Sequence, residues 1–146
     1  MDIEFMKKAI AEAKTAETEG EVPVGAVIIK DGEIIASARN NREQTGDATG
    51  HAELIAIRRA CEHLGGWHLE KCTLYVTLEP CPMCMGAIIN SRLGRVVFGA
   101  KDAKAGACGS VMNMCSYPLN HKPQVEGGVM EYECAKLLSD FFDKKR

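Results

Sequence analysis

The sequence predicts an α/β fold of three layers, α/β/α, in which a five-stranded mixed sheet carries helices on both faces. Three observations predict it. Two β-branched runs, "VPVGAVIIK" (22–30) and "EIIASA" (33–38), are joined by Asp31-Gly32, the strongest short hairpin signal a sequence offers. From 72 to 100 the order is strand, helix, strand, which requires parallel neighbours with the helix lying against the sheet. Helical periodicity opens and closes the chain, at 3–19 and again at 129–142.

The first helix is expected over 3–19, where Ile3, Met6, Ala9, Ile10, Ala13 and Ala16 recur at helical spacing between Lys and Glu. Gly20 stands where a C-terminal cap belongs. After the hairpin, "NNREQTGDATG" (40–50) is a polar loop. "HAELIAIRRACEHLGG" (51–66) then reads as a helix with Leu54, Ile57, Ala60, Cys61 and Leu64 on one stripe, ending at Gly65. "CTLYVTL" (72–78) is the third strand, "PMCMGAIINSR" (82–92) a buried helix and "RVVFGA" (95–100) the fourth strand. Residues 101–123 are Gly-rich and irregular, with room for one short helix. "QVEGGV" (124–129) is a weak fifth strand, and the closing helix turns Val129, Cys134, Leu137, Leu138 and Phe141 inward. No linker or repeat divides the chain, so 1–146 is read as a single domain.

A chain of 146 residues can bury a real core, so neither disulfides nor a structural metal is needed to hold it. Residues 1–20 lack the continuous apolar run of a signal peptide, and no later segment is long and apolar enough to span a bilayer. No membrane association and a cytoplasmic location are expected. In such a reducing compartment seven cysteines, an odd number, are read as thiols or metal ligands rather than as a disulfide framework. The formal net charge of -2 gives no global electrostatic case for nucleic-acid binding.

The chemistry concentrates in "HAE" (51–53) and "PCPMC" (80–84), each at a point where the chain feeds a helix. Helix N-termini favour negative charge, so a thiolate is stabilised there. Cys81 and Cys84 share one side of a first turn. His51 and Glu53, two apart, would point about 200° from each other on a regular helix; both address one centre only if it lies beyond the helix end. A C-x-x-C alone is equally a redox pair or two core thiols. The H-x-E upstream favours zinc: one His and two Cys leave the fourth tetrahedral position to water, and Glu53, not a ligand, can move the protons. Cys61, Cys72, Cys108, Cys115 and Cys134 share no spacing and read as buried thiols. His63, His68 and His121 read as surface or capping residues, and Met83, Met85, Met112 and Met114 as core or subunit-interface packing.

With these residues in place the chain resembles the zinc-dependent nucleoside deaminases, and more narrowly the bacterial tRNA-specific adenosine deaminases. H-x-E with P-C-x-x-C marks the superfamily; "RVVFGAKDAKAGACGS" narrows the match, and the resemblance runs from "EVPVGAVI" to "ECAKLLSDFF". It implies a cytidine deaminase-like fold and one Zn2+ per chain on His51, Cys81 and Cys84. It further implies Glu53 as proton shuttle and the wobble adenosine of a tRNA anticodon stem-loop as substrate, converted to inosine. Asn40 matches the family's base-contacting asparagine, Asp102 and Lys104 its backbone-contacting loop, and Phe142, Lys145 and Arg146 the end of its closing helix. Bacterial members are homodimers, so a homodimer is expected. The chain departs from its relatives at Arg39, where an aromatic residue or histidine is common. The alternative reading keeps the zinc and Glu53 and changes the substrate to a free base or nucleotide: guanine, cytosine or dCMP.

Overall fold

Side chains that alternate along a strand send one set to each face of a sheet, and in the three central strands here both sets are largely buried and apolar. The computed structural model describes residues 1–145. Its elements are α1 (Asp2–Thr18), β1 (Gly25–Lys30), β2 (Glu33–Arg39), α2 (Arg42–Thr45), α3 (Ala52–Leu64), β3 (Cys72–Leu78), α4 (Pro82–Asn90), β4 (Arg95–Ala100), β5 (Gln124–Glu126) and α5 (Glu131–Lys144). The strand order is β2-β1-β3-β4-β5. β1 is antiparallel to both β2 and β3, while β3, β4 and β5 run parallel. On one face Ala26, Ile28, Leu74, Val76, Val96 and Phe98 pack under α3 and α4. On the other, Val27, Ile29, Tyr75 and Val97 pack under α1 and α5. These are the three expected layers.

Local chemistry explains the element ends. Asp31 and Gly32 have φ of 51° and 78°, the pair of positive values that a two-residue hairpin turn demands. β1 starts at Gly25 rather than at Val22, because Pro23 has no N–H for the ladder. A Cβ at Gly25 would come within 2.1 Å of the Ala9 carbonyl oxygen, so α1 crosses the sheet where only glycine fits. On α3 the stripe is rotated from the expected one: Ala52, Ala56, Ile57 and Ala60 are buried, whereas Leu54 and Leu64 lie on the flanks, since small side chains let the helix approach the sheet closely. Ile3 of α1 is exposed, not inward. α5 begins at Glu131 rather than 129, because Gly128 and Met130 both take positive φ and turn the chain before the helix can start. Within 101–123 the only helical piece described is a 3₁₀ turn at Met114–Ser116.

α1 is pinned by a polar clamp. Arg95 donates to both carboxylate oxygens of Asp2, at 3.0 and 2.7 Å, Tyr75 Oη donates to Oδ1 at 2.6 Å, and Arg95 also reaches Glu126 of β5. The Arg95 and then the Tyr75 hydrogen bonds hold the Asp2 carboxyl down to about 2. A depressed carboxyl contributes stability above its unfolded pKa and loses it as pH falls through the folded one. Asp2→Asn is therefore expected to lower stability by about 1 kcal/mol at neutral pH. The gap from the parent should close between roughly pH 4 and 2. Urea titrations at three pH values measure it; a gap independent of pH would contradict the clamp.

Candidate active site

α3 and α4 start at the same end of the sheet, and the residue before each helix is a site residue. His51 is the N-cap of α3, with extended backbone (φ −90°, ψ 143°), and Cys81 is the N-cap of α4 (φ −78°, ψ 173°). Pro82 takes the first helical position of α4, where a missing N–H costs nothing. The opposed directions expected for His51 and Glu53 are thereby resolved. His51 stands outside the helix, Glu53 is its second residue, and both face the space beyond the N-terminus.

His51 Nδ1 lies 3.7 Å from Cys81 Sγ and 3.5 Å from Cys84 Sγ, and the three donor atoms all fall within 4.8 Å of one another. A tetrahedral ion with bonds of about 2.3 Å to sulfur and 2.0 Å to nitrogen requires donor–donor edges of roughly 3.5 to 3.8 Å. The residues fit such an ion. The donors are also electrostatically tuned. Cys84 first, and then His51, hold the Cys81 thiol down to about 4 against the upward push of its partial burial. Cys84 is driven far upward, by Cys81 and by burial. His51 is raised, chiefly by its hydrogen bond to Cys81. The three groups hold their protons in common, and a bound cation would have to displace them, since thiolate and neutral imidazole are the ligand forms.

Glu53 is buried, and burial lifts its carboxyl to about 7. It faces a cavity of about 520 Å³ that is also lined by His51 and Cys81. One wall is apolar, formed by Val22, Val24 and Leu78 with Leu138 and Phe142 of α5; the loop from Lys101 to Ala105 forms a rim.

Of the other expected residues, Asn40 lines the cavity and its Oδ1 accepts from Ala52 N–H at 2.8 Å. The side chain therefore caps α3 and keeps its amino end to act as a donor. Asp102 lines the cavity too, yet its carboxylate shapes its own turn by accepting from Lys104 and Ala105 N–H at 3.0 and 3.2 Å. Lys104 and Phe142 also line the cavity. Lys145 is not among the lining residues; its ammonium sits 5.0 Å from the centre of the Phe141 ring. Arg146 lies outside the described residues. Arg39 is turned away, its guanidinium bound to Glu12 and Glu19 of the first helix and its end.

Two buried carboxylates escaped the sequence reading. Glu21 accepts from Glu43 and Gln44 N–H at 3.0 and 2.8 Å and so caps the short helix α2. Glu79 accepts from the loop after β4. The available signal was an acidic residue at the end of an apolar strand, just before Pro80-Cys81; for Glu21 no local signal exists.

Comparison with known proteins finds deaminases that match nearly the whole chain. The family model of MafB19-like deaminases matches residues 2–146. A tRNA-specific adenosine deaminase of Bacillus subtilis (strain 168) is 53% identical over 143 residues, covering 97% of this chain and 89% of the relative. A solved structure from work on A-to-I editing by tRNA:A34 deaminases at the wobble position of transfer RNA is 45% identical, with a TM-score of 0.90 over 92% of this chain and 99% of the other. A guanine deaminase from Bacillus subtilis is 36% identical, with a TM-score of 0.65 over 97% of this chain and 91% of the other.

Purified protein is expected to carry about one metal ion per chain, because three donors make one site. Cys81→Ala and Cys84→Ala should each lose it, as read by elemental analysis. Full metal content in either variant would refute the ligand set.

Proposed function

The chain belongs to the MafB19-like deaminase family and, within it, to the tRNA-specific adenosine deaminases, and from that premise we propose the reaction and its residue roles. The chain hydrolyses the 6-amino group of the wobble adenosine in a tRNA anticodon loop, giving inosine and ammonia. The observation that carries the mechanism is a buried carboxyl, Glu53, raised to about 7 beside a His/Cys/Cys group at the wall of a cavity with room for a nucleobase. His51, Cys81 and Cys84 would hold a zinc ion, which would supply Lewis acidity to activate water. Glu53 accepts the proton released as water adds to C6 and passes it to the ring nitrogen; it then takes the remaining proton from the new C6 hydroxyl and delivers it to the amine, which departs as ammonia as the C6 carbonyl forms. A carboxyl poised near neutral pH can both take and return that proton. Asn40 offers its amino end to an acceptor on the purine edge. The apolar wall of Val22, Val24 and Leu78 shields the base from water. Lys101 and Lys104 stand exposed at the rim, where flanking phosphates would lie.

A cytoplasmic homodimer completes this reading. Met83 on α4 and Val111, Met112, Tyr117 and Leu119 are exposed apolar side chains, and Leu119 shares a surface recess with Gly86, Ile89 and Asn90 of α4. Sedimentation that finds only monomer at micromolar concentration would reject the dimer. Among the described residues no helix is long and apolar enough to cross a membrane.

The likeness to a guanine deaminase keeps a free-base substrate as the second reading, since that chemistry uses the same metal and carboxyl. Ammonia release from an anticodon stem-loop, compared with guanine, cytosine and dCMP, separates the two. Glu53→Gln is expected to keep the metal and lose roughly 10² to 10⁴ in turnover. Stem-loop affinity should fall with salt at roughly 0.7 to 0.9 log units per phosphate contact, and Lys104→Ala should remove about one contact from that slope. A salt-independent affinity, together with fast turnover of guanine, would overturn the tRNA reading.

A further inference from the structure

Glu79 is the carboxylate that the chemistry does not use. It is 2% exposed, at the end of β3, and four donors converge on it. Asp102 N–H, at 3.0 Å, and the Ser110 hydroxyl donate to Oε1; Cys108 and Ser110 N–H donate to Oε2 at 2.9 and 3.1 Å. Every one of these donors belongs to the loop that follows β4. The loop closes around the side chain so tightly that a Cβ on Gly106 would lie 2.4 to 2.5 Å from the carboxylate atoms. From 101 to 113 the loop holds no strand or α-helix; beside the Glu79 carboxylate its path rests on a few turn hydrogen bonds, such as Gly106 N–H to Asp102 O and Val111 N–H to Gly106 O, and on one isolated bridge between Cys108 and Asn113. Its first turn, 102–105, carries Asp102 and Lys104 on the cavity rim.

We propose that Glu79 is a positioning residue for the polynucleotide: its carboxylate holds loop 102–110 in place, and this sets where Lys101 and Lys104 meet the phosphates beside the reacting base. The inference rests on the tRNA reading above for its substrate. It follows from acceptor geometry. A carboxylate only accepts, and here each oxygen takes two donors. A glutamine of the same shape must turn its NH₂ toward one of those pairs, placing donor against donor and freeing that part of the loop. The metal donors and Glu53 are held by α3 and α4, so they should stay in place.

The test combines amide hydrogen exchange with steady-state kinetics on an anticodon stem-loop, for the metal-loaded parent and for Glu79→Gln, Ser110→Ala and Gly106→Ala. In Glu79→Gln, exchange across 102–110 is expected to quicken by roughly ten- to a hundredfold, with α3 and α4 unchanged and the metal retained. KM for the stem-loop should rise by about tenfold while kcat stays within about threefold. Ser110→Ala, which removes the hydroxyl alone, should shift both readouts the same way but less, and it carries the test if Glu79→Gln fails to fold. Gly106→Ala should reproduce the pattern from the loop side. Unchanged loop exchange in Glu79→Gln overturns the proposal, and so does a fall in kcat accompanied by metal loss, which would make Glu79 a support for Cys81 instead. A parent that leaves the stem-loop untouched sinks the tRNA reading and the substrate half of this inference, while the exchange arm still upholds or removes the anchor.

Discussion

The site depends on two helix N-termini meeting at one end of a sheet. Because β3 and β4 run parallel, α4 must cross between them and begin where β3 ends, and α3 packs beside it on the same face. The residues that precede the two helices, His51 and Cys81, have extended backbone and lie at the ends that carry partial positive charge. That field favours a thiolate and the anionic side of any chemistry performed there. Placement is enforced from below. Met85 and Ile88 of α4, and Ala52, Ala56 and Ala60 of α3, are fully buried, so neither helix can turn about its axis without opening the core. Donor spacings of 3.5 and 3.7 Å are thus a property of helix packing.

Burial alone does not decide what a carboxylate does. Glu53 and Glu79 are 4% and 2% exposed, yet their acidities move in opposite directions. For Glu53 burial dominates and raises the carboxyl to about 7, which suits the proton-transfer role proposed for it. For Glu79 burial also pushes upward, but the donors from Ser110, Asp102 and Cys108 outweigh it and leave the carboxyl below its ordinary value. It stays ionised and serves as an anchor. Glu21, gripping two N–H groups of α2, belongs with Glu79 in function. The His51 and Cys81 side chains thus line a cavity bordered by two loops, each tied down by a buried carboxylate.

The elements were legible where the local code is strong. Asp31-Gly32 gave the hairpin because its two positive φ values are a local preference, and H-x-E with C-x-x-C pointed to His51, Cys81 and Cys84, which the fold brings together as a set that could hold a metal ion. The rotated stripe on α3 was not legible, since periodicity counts Leu54 as apolar and cannot know that alanines will face a close sheet. Glu21 and Glu79 were hidden for a related reason. An acidic residue next to a strand reads as a solvated end, and its partners, 22 to 31 residues away, appear only once the loops have folded back.

A slightly acidic chain and a polyanionic substrate are reconciled by where the charges sit. Arg95 is spent on Asp2 and Glu126, at the end of the sheet away from the cavity, and Arg39 on Glu12 and Glu19. These arginines stabilise the fold and have little left to offer a phosphate. Arg92 and Lys122 fall just before β4 and β5, and hence also at the end away from the cavity. By contrast Lys101 and Lys104 follow β4 directly, on the rim of the cavity and exposed. Net charge averages over both ends and so conceals the difference. Over distances beyond about 10 Å in ordinary salt, screening removes the repulsion of remote acidic groups, so a phosphate at the rim senses chiefly the charges beside it. On the proposed reading a few well-held cations would therefore serve a tRNA loop in place of a basic surface, and the anchoring of the rim would be as consequential for binding as the lysines themselves.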